Sequence, residues 1–203
     1  MVRLRAPIVL ASASPRRREL LAHIGIEVQV APVAIDERPL SGEPADQYAP
    51  RVAEAKLEAA LRREASTAGP APFVLAADTT VLLDGAIFGK PRDDADASEM
   101  LRALLGRSHQ VVTAVAVGRV GEGLLAAESV ATTVVMRAPA DVSELTRYVA
   151  LGEGRDKAGA YAVQGVASGF VTSIVGSYSN VVGLPVAETL GLLRRVGAVK
   201  AWP

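Results

Sequence analysis

The 203-residue sequence contains no cysteine. This absence excludes disulfide bonds, zinc–thiolate sites, iron–sulfur clusters and thiol nucleophiles. No apolar run approaches the ~20 residues that a membrane-spanning helix requires, so we expect no membrane association. The apolar stretch at residues 6–11 contains Pro7 and is shorter than the apolar core of about 7–15 residues in a secretory signal. We therefore expect a cytoplasmic protein.

The sequence also lacks an excess of either charge. Lys and Arg number 22 and balance 22 Asp and Glu, and aromatic residues make up only 4% of the chain. A protein that coats DNA or RNA needs a basic excess and aromatic platforms for the bases, so nucleic acid is not an expected partner. The motifs GxxxxGK[ST], GxGxxG and GxSxG are absent, which argues against P-loop, dinucleotide-binding and serine-hydrolase sites. A local cationic cluster would still be enough to bind a small anion.

Segments with strand and helix periodicity alternate along the chain. The patterns predict loops at 39–44 and 68–72, helices at 16–24, 46–64, 94–105, 141–150 and 185–196, and strands at 7–11, 26–34, 73–77, 79–83, 86–88, 110–117, 129–136 and 170–175. This interleaving predicts an α/β fold with a mixed sheet. The Asp84-Gly85 turn predicts a hairpin, which excludes an all-parallel sheet. We find no repeat or linker, and we expect a single domain over residues 1–203.

Arginines open the first predicted helix, where acidic residues are usual. In the segment Ser12-Ala13-Ser14-Pro15-Arg16-Arg17, Ser14 suits the N-cap position and Pro15 the first helical position. The helix N-terminus is itself partially positive. Arg16 and Arg17 are therefore best explained if an anion such as phosphate binds between them, the backbone N–H groups and the serine hydroxyls. The alternative is a solvated basic turn.

Asp78 directly follows the predicted strand 73–77 and precedes Thr79 and Thr80. In α/β proteins, ligands bind at the carboxyl ends of strands. A carboxylate at such a strand end can hold a metal ion or act as a general base. A turn-capping role for Asp78 is equally compatible with these residues.

The chain has only four lysines against eighteen arginines. Lys56 falls on the apolar side of the predicted helix 46–64, where a charge needs a partner. Lys56, Lys90 and Lys157 each suit a solvated surface, but together with the arginine pair they indicate neutralisation of a polyphosphate. Gln164 stands in a glycine-rich segment and offers an amide to a nucleobase edge, although a plain loop explains it equally well. For His109 we favour a structural hydrogen bond.

Eight segments, in order, resemble the Maf family of septum-formation-inhibitor-like nucleotide pyrophosphatases. They are LASASPRRRELL, IDE, RVAEAKLEAA, AADTTV, GKP, HQVVTAVAV, DKAGAYAVQG and GSYSNVVGLPVAETL, and they cover nearly the whole chain. The resemblance implies a central curved mixed sheet with flanking helices and two lobes around a cleft, similar to the inosine-triphosphate pyrophosphatases. It also implies hydrolysis of nucleoside triphosphates between the α and β phosphates with a divalent metal ion. An oxygen-rich site without cysteine favours Mg²⁺ or Mn²⁺.

The resemblance also assigns residues by position. It makes Asp78 the catalytic proton acceptor and, with Glu37, a metal ligand, and it gives Asp156 as their companion. The positions associated with phosphates are Ser12, Ser14, Arg16, Arg17, Lys56, Lys90 and Lys157. Arg16, Thr79 and Gln164 match the subgroup that acts on dTTP and UTP, whereas the 7-methyl-GTP subgroup has Glu at the position of Gln164. Ala162 and Pro50 depart from the family pattern.

The resemblance implies a homodimer as well. Two functions from other classes remain open at this point. One is a nucleotide-binding regulator of septum formation with little catalysis. The other is a hydrolase of sugar phosphates or other phosphate esters that uses the same anion site.

Overall fold

The computed structural model describes residues 2–66 and 71–203, except for the side chain of residue 142. The strands are β1 (Arg3–Leu4), β2 (Ile8–Leu10), β3 (Gln29–Val30), β4 (Phe73–Leu83), β5 (Ala86–Phe88), β6 (Ser108–Arg119), β7 (Gly123–Met136), β8 (Val171–Val175) and β9 (Val199–Ala201). The α-helices are α1 (Pro15–His23), α2 (Ala45–Glu64), α3 (Asp94–Leu104), α4 (Val142–Ala150), α5 (Tyr178–Val182) and α6 (Val186–Arg195). Short 3₁₀ helices cover Ala158–Ala160 and Val166–Phe170. Residues 68–70 of the predicted loop 68–72 lie outside the described residues.

Seven strands form one sheet. Its order is β3-β2-β4-β6-β7-β8, and β5 pairs with β4 beside this path. Strand β2 runs parallel to β3 and β4, whereas β4 with β5 and β7 with β8 are antiparallel. Strands β1 and β9 form a separate antiparallel pair. The predicted α/β fold with a mixed sheet is thereby confirmed.

Backbone contacts divide the chain into two compact units. The first comprises Met1–Asp78, Thr113–Val130 and Gly183–Pro203, and the second comprises Thr79–Val112 and Ala131–Val182. Strands β4, β6 and β7 each contribute residues to both units. The single domain predicted over residues 1–203 stays a prediction.

The core of the first unit holds β2 and the beginning of β4 in place. All three residues of β2 are at most 1% exposed. Ile8 and Leu10 belong to one apolar cluster with Phe73, Leu75 and the α6 residues Leu192 and Leu193. A parallel strand that is covered on both faces reads as a continuous apolar run, as the Ile-Val-Leu of β2 does. This packing fixes the position at which β2 and its neighbour leave the core.

Several predicted strands were wrong in extent. The strand predicted at 26–34 is reduced to β3, Gln29–Val30, which is exposed. Pro32 follows it and has no N–H group to extend the ladder. The strands predicted at 73–77 and 79–83 are one continuous strand, β4. The β-branched Thr79, Thr80 and Val81 suit extended backbone, so Asp78 lies within a strand and not at its end.

The second unit contains the predicted hairpin. The hairpin between β4 and β5 turns at Asp84 (φ 51°) and Gly85 (φ 79°), and this pair of left-handed residues is what such a tight turn requires. The side chain of Asp93 caps α3 by accepting the N–H of Asp96 at 2.8 Å. Helix α2 in the first unit contains Pro50 and begins at Ala45, one residue before the predicted start.

His109 makes the structural hydrogen bond favoured from the sequence. Its Nε2 lies 2.8 Å from the hydroxyl of Tyr161, and the two rings meet edge to face. Only 3% of His109 is exposed, and burial lowers its pKa from 6.5 to about 4. The imidazole is therefore neutral in the folded protein at pH 7.

Acidification should destabilise the protein through His109. Between pH 6.5 and 4 the unfolded chain binds a proton that the folded chain excludes. The contribution of His109 is thus complete above pH 6.5 and is lost as the pH falls towards 4, by up to ~3 kcal/mol. Urea denaturation at several pH values should give a shallower pH dependence of unfolding free energy for His109→Gln than for the wild type. The exposed His23 provides the control, His23→Gln, which should follow the wild type; equal slopes for all three proteins would contradict the assignment.

Candidate active site

The first unit forms a turn between β2 and α1 from the predicted phosphate segment. Ser14 has the extended backbone of an N-cap residue (φ −67°, ψ 115°) and Pro15 begins the helix, as predicted. The hydroxyl of Ser14 does not cap the helix; instead its N–H donates to Ser12 Oγ at 3.3 Å. The first turn of α1 contains no acidic residue. No carboxylate in the first turn of α1 therefore compensates the partial positive charge at the N-terminus of this helix.

Arg17 is 8% exposed and ties this turn to its neighbours. Its Nη1 donates to Ser12 Oγ at 2.9 Å and to the carbonyl of Ala77 at 2.8 Å, while Nε donates to the carbonyl of Gly183 at 2.8 Å. Burial lowers the pKa of the guanidinium, and the negative charges of Asp78 and Glu37 oppose this shift. These contacts give Arg17 a structural task beside Asp78. Its predicted contact with phosphate stays a prediction.

Lys56 joins two carboxylates. Its Nζ lies 2.8 Å from Asp78 Oδ1 and 2.9 Å from Glu37 Oε1. The side chains of Lys56 and Asp78 are only 12% and 9% exposed, whereas that of Glu37 is 42% exposed. The sequence predicted that Lys56, on the apolar side of α2, needs a charged partner. The structure shows that this partner is the pair of carboxylates. Three predicted site residues come together here.

One oxygen of Asp78 remains unused. Its Oδ2 is buried and has no hydrogen-bond partner within residues 2–66 and 71–203. A buried acceptor without a partner is costly, and at such a position a functional reason is to be sought. Oδ1 is fixed by Lys56, so Oδ2 has a defined direction in which to accept a proton or a cation.

Asp78 lies just beyond the end of a parallel ladder. The register of β2 with β4 ends at Leu10 opposite Leu75, and the N–H of Ala11 donates to the carbonyl of Leu75 at 2.9 Å. Asp78 follows three residues later along β4. The prediction that it occupies a strand end was wrong. It nevertheless stands at the carboxyl end of the parallel β2/β4 pair, the usual place for a ligand.

Tyr48 and Arg51 support the loop that carries Glu37, and sequence reasoning missed both. The hydroxyl of Tyr48 donates to the carbonyl of Glu37 at 2.8 Å. Burial, reinforced by the charges of Asp78 and Glu37, raises the pKa of Tyr48 to about 12, so the donor proton is retained. Arg51 binds the carboxylate of Glu43 and the carbonyl of Arg38. Tyr48 precedes Lys56 by two four-residue intervals on α2, which places both on the same face of the helix. This spacing is the sequence signal that could have identified Tyr48.

The carboxylates on Lys56 suit a hard divalent cation. Within the part of the chain that the structure describes, no group of three or more His, Cys, Asp or Glu side chains could hold a metal ion. Glu37 and Asp78 offer oxygen only, and the unpartnered Asp78 Oδ2 is one such donor. Mg²⁺ is commonly held by one or two carboxylates together with substrate phosphates. The donor set therefore fits the predicted class of metal.

The second unit brings two of the predicted phosphate residues onto neighbouring segments. The N–H of Gly159 donates to the carbonyl of Gly89 at 3.1 Å and so joins the segment of Lys157 to that of Lys90. Lys157 Nζ bonds to the carbonyl of Glu153 at 2.7 Å and to the carboxylate of Asp156. Asp156, the companion that the resemblance gives to the metal ligands, is thus paired with Lys157. Lys90 is exposed.

Thr79 and Gln164 occupy different elements of the same unit. Thr79 is half-buried on β4, whereas Gln164 is exposed in a turn. That turn is closed by the N–H of Gly165 donating to the carbonyl of Ala162 at 3.0 Å. An exposed amide on a short closed turn is well placed to meet a ligand, but its role stays a prediction.

Residues 7–196 match a family model described as Maf-like protein. Curated relatives include the dTTP/UTP pyrophosphatase of Anaeromyxobacter dehalogenans, which is 50% identical over 96% of each chain. Proteins of the same name from Chromobacterium violaceum and Myxococcus xanthus are 50% and 47% identical; the first match covers 94% of each chain, and the second covers 96% of this chain and 95% of the relative. A solved structure described as a nucleoside-triphosphatase / dITP/XTP pyrophosphatase from Mycobacterium abscessus covers 94% of each chain, with a TM-score of 0.42 and 16% identity. No conclusion is drawn from this likeness. By its match to the family model and its identity with these relatives, the chain belongs to the Maf-like protein family.

Proposed function

We propose that this protein is a nucleoside triphosphate pyrophosphatase. It hydrolyses the α–β phosphoanhydride of dTTP and UTP and releases the nucleoside monophosphate and pyrophosphate. The observation that carries the reaction is the buried carboxylate of Asp78, held by Lys56 through one oxygen and unpartnered at the other. The dTTP/UTP pyrophosphatases that are about half identical over nearly the whole chain support the choice of substrates.

Asp78 acts as the general base. Its Oδ2 accepts the proton of the water that attacks the α-phosphate, while Lys56 holds Oδ1 and fixes the direction of Oδ2. The hydrogen bond from Arg17 to the carbonyl of Ala77 fixes the backbone beside the base. Preorganisation of this kind lowers the barrier because little rearrangement is needed during the reaction.

Cationic and polar groups neutralise the triphosphate. In the first unit we assign phosphate contacts to Ser12, Ser14, Arg16, Arg17 and Lys56, and in the second to Lys90 and Lys157. Glu37 and Asp78 would hold Mg²⁺ or Mn²⁺. When bound, such an ion offsets phosphate charge and polarises the α-phosphate. Thr79 and Gln164, with Arg16, select the base.

Product analysis on a panel of nucleoside triphosphates tests the proposal. The panel is dTTP, UTP, CTP, GTP and 7-methyl-GTP, each with Mg²⁺ or Mn²⁺ and with phosphate monoesters as a control class. Monophosphate plus pyrophosphate, with dTTP and UTP leading, would support both reaction and substrates. Pyrophosphate from another base would retain the reaction and overturn the substrate assignment. Tight nucleotide binding without turnover would favour a nucleotide-binding regulator of septum formation, and phosphate release from monoesters would favour an ester hydrolase.

Gln164→Glu should shift base preference away from thymine and uracil. The amide can donate to a carbonyl oxygen of these bases, whereas a carboxylate only accepts and would repel it. We expect kcat/KM for UTP to fall by about 10- to 100-fold. Steady-state kinetics on the same panel provide the measurement. An unchanged ranking of substrates would remove Gln164 from the base site.

The cytoplasmic location and the homodimer implied by the family resemblance are part of the proposal. Within the described residues, no helix is long and apolar enough to cross a membrane. Sedimentation equilibrium measures the oligomeric state directly, and a monomer at micromolar concentration would overturn the dimer.

A further inference from the structure

Glu153 lies between α4 and the exposed turn that carries Gln164. Its half-buried side chain accepts two backbone hydrogen bonds from the far side of that turn. Oε1 accepts the N–H of Val166 at 2.8 Å, and Oε2 accepts the N–H of Ala167 at 3.2 Å. Both oxygens of one carboxylate are therefore committed to the segment that begins two residues after Gln164.

Tyr148 on α4 contacts the same turn on the N-terminal side of Gln164. Its hydroxyl accepts the N–H of Ala162 at 3.2 Å. Tyr148 is 3% exposed, and burial, reinforced by the Glu153 carboxylate, raises its pKa, so its hydroxyl stays protonated. The Tyr148–Glu153 pair thus binds backbone groups on both sides of Gln164.

Gly165 shows how closely the carboxylate approaches the turn. A Cβ atom added at Gly165 would lie 1.8 Å from Glu153 Oε1, far inside contact distance. The turn from Ala162 to Gly165 therefore follows the backbone path that the Tyr148–Glu153 pair permits. The carbonyl of Glu153 also accepts Lys157 Nζ at 2.7 Å. One residue consequently touches two segments to which substrate contacts are assigned.

We infer that Glu153, supported by Tyr148, is a positioning residue that holds Gln164 for base selection. The inference rests on the proposed function, because it takes Gln164 as the residue that meets the base. Glu153 itself does not need to touch the nucleotide. It restricts the turn so that the Gln164 amide is presented in one orientation, and a mobile amide would discriminate bases less well.

The test compares Glu153→Gln with a matched control, Glu144→Gln. Glu144 belongs to α4, the helix that precedes Glu153, and its carboxylate accepts the backbone N–H of Ala140 and the guanidinium of Arg137, away from Gln164. The two variants therefore lose the same charge, and each loses a carboxylate that accepts a backbone N–H. Glu153→Gln replaces one acceptor oxygen by an NH₂ group that opposes a backbone N–H. Tyr148→Phe provides a second variant that tests the pair without removing a charge.

We expect Glu153→Gln to raise KM for UTP and to lower the preference for UTP over CTP by about tenfold, with kcat changed less than threefold. Amide hydrogen exchange should become faster at Val166 and Ala167. Glu144→Gln should leave the preference and the exchange rates at Val166 and Ala167 unchanged, even if its Tm falls as much as that of Glu153→Gln. Tyr148→Phe should show a smaller loss of preference together with faster amide exchange at Ala162. A Glu153→Gln enzyme with wild-type preference would overturn the inference, and so would a control that loses as much preference.

The preference is measured twice, from kcat/KM and from the dissociation constants of UTP and CTP. A wild-type protein that binds UTP selectively without hydrolysing it would defeat the proposed function, but its dissociation constants would still decide the role of Glu153. A wild-type protein that binds UTP and CTP equally would overturn the inference.

Discussion

Asp78→Asn should reduce turnover of dTTP and UTP by about 10³-fold, within the range that removal of a general base produces. Asparagine preserves the shape of the side chain and can offer Oδ1 to Lys56 at the present 2.8 Å. It replaces the unpartnered Oδ2 by an NH₂ group that cannot accept a proton. We therefore expect nucleotide affinity to stay within a few-fold of the wild type while kcat falls. Pyrophosphate release at saturating substrate measures kcat, and a binding titration measures affinity.

Asp46→Asn is the matched control for this variant. Asp46 is exposed in the first turn of α2, the helix that also carries Lys56. It undergoes the same chemical change without touching the carboxylate pair, and wild-type turnover is expected. If Asp78→Asn turns over nucleotide at a near-wild-type rate, another group must accept the proton. If affinity and turnover fall together, Asp78 serves binding and its assignment as the base fails.

Local features of the site were predictable because they depend on neighbours in sequence. The extended backbone of Ser14, the start of α1 at Pro15 and the turn at Asp84-Gly85 follow from short-range backbone chemistry. The extent of β4 was not predictable, because the length of a strand depends on cross-strand pairing and packing with segments that are distant in sequence. The break assumed at Asp78 was therefore wrong.

The charge partners of Lys56 were likewise predictable only in part. The apolar side of α2 predicted that Lys56 needs a partner, but it did not identify Glu37 and Asp78, which are 19 and 22 residues away. Periodicity specifies which face is buried, and only the fold determines which chain segment meets that face. The supporting contacts of Tyr48 and Glu153 escaped notice for this reason. Their partners are backbone groups, so the residue type at the partner position does not indicate the contact.

Arg17 illustrates how one residue can satisfy two interpretations of a motif. The arginine-rich turn predicted phosphate binding, yet Arg17 directs at least three hydrogen bonds at Ser12, Ala77 and Gly183. A guanidinium can do this because its donors form a rigid planar fork. The two roles differ in what their loss would change. Removal of a phosphate ligand weakens substrate binding, whereas removal of a framework cation lowers the stability of the fold.

Arg17→Met should therefore lower the free energy of unfolding by about 3–5 kcal/mol, the range for breaking a buried charged network. Methionine fills similar volume but leaves the carbonyls of Ala77 and Gly183 without these donors. Arg17→Lys should be intermediate, because one ammonium group cannot reproduce contacts made from both Nε and Nη1. Urea denaturation measures the loss. The exposed neighbour Arg18 supplies the control Arg18→Met, which should stay within about 0.5 kcal/mol of the wild type.

The outcome separates the two roles of Arg17. A stability loss confined to the Arg17 variants would identify it as the cation that fixes the backbone beside the Asp78 base. A stable Arg17→Met protein with a strongly raised KM would instead make Arg17 a direct phosphate ligand and would contradict the framework role. Equal losses in Arg17→Met and Arg18→Met would trace the effect to the arginine-rich turn as a whole. In that case the three buried hydrogen bonds of Arg17 would contribute little net stability, and burial alone would be a poor guide to its function.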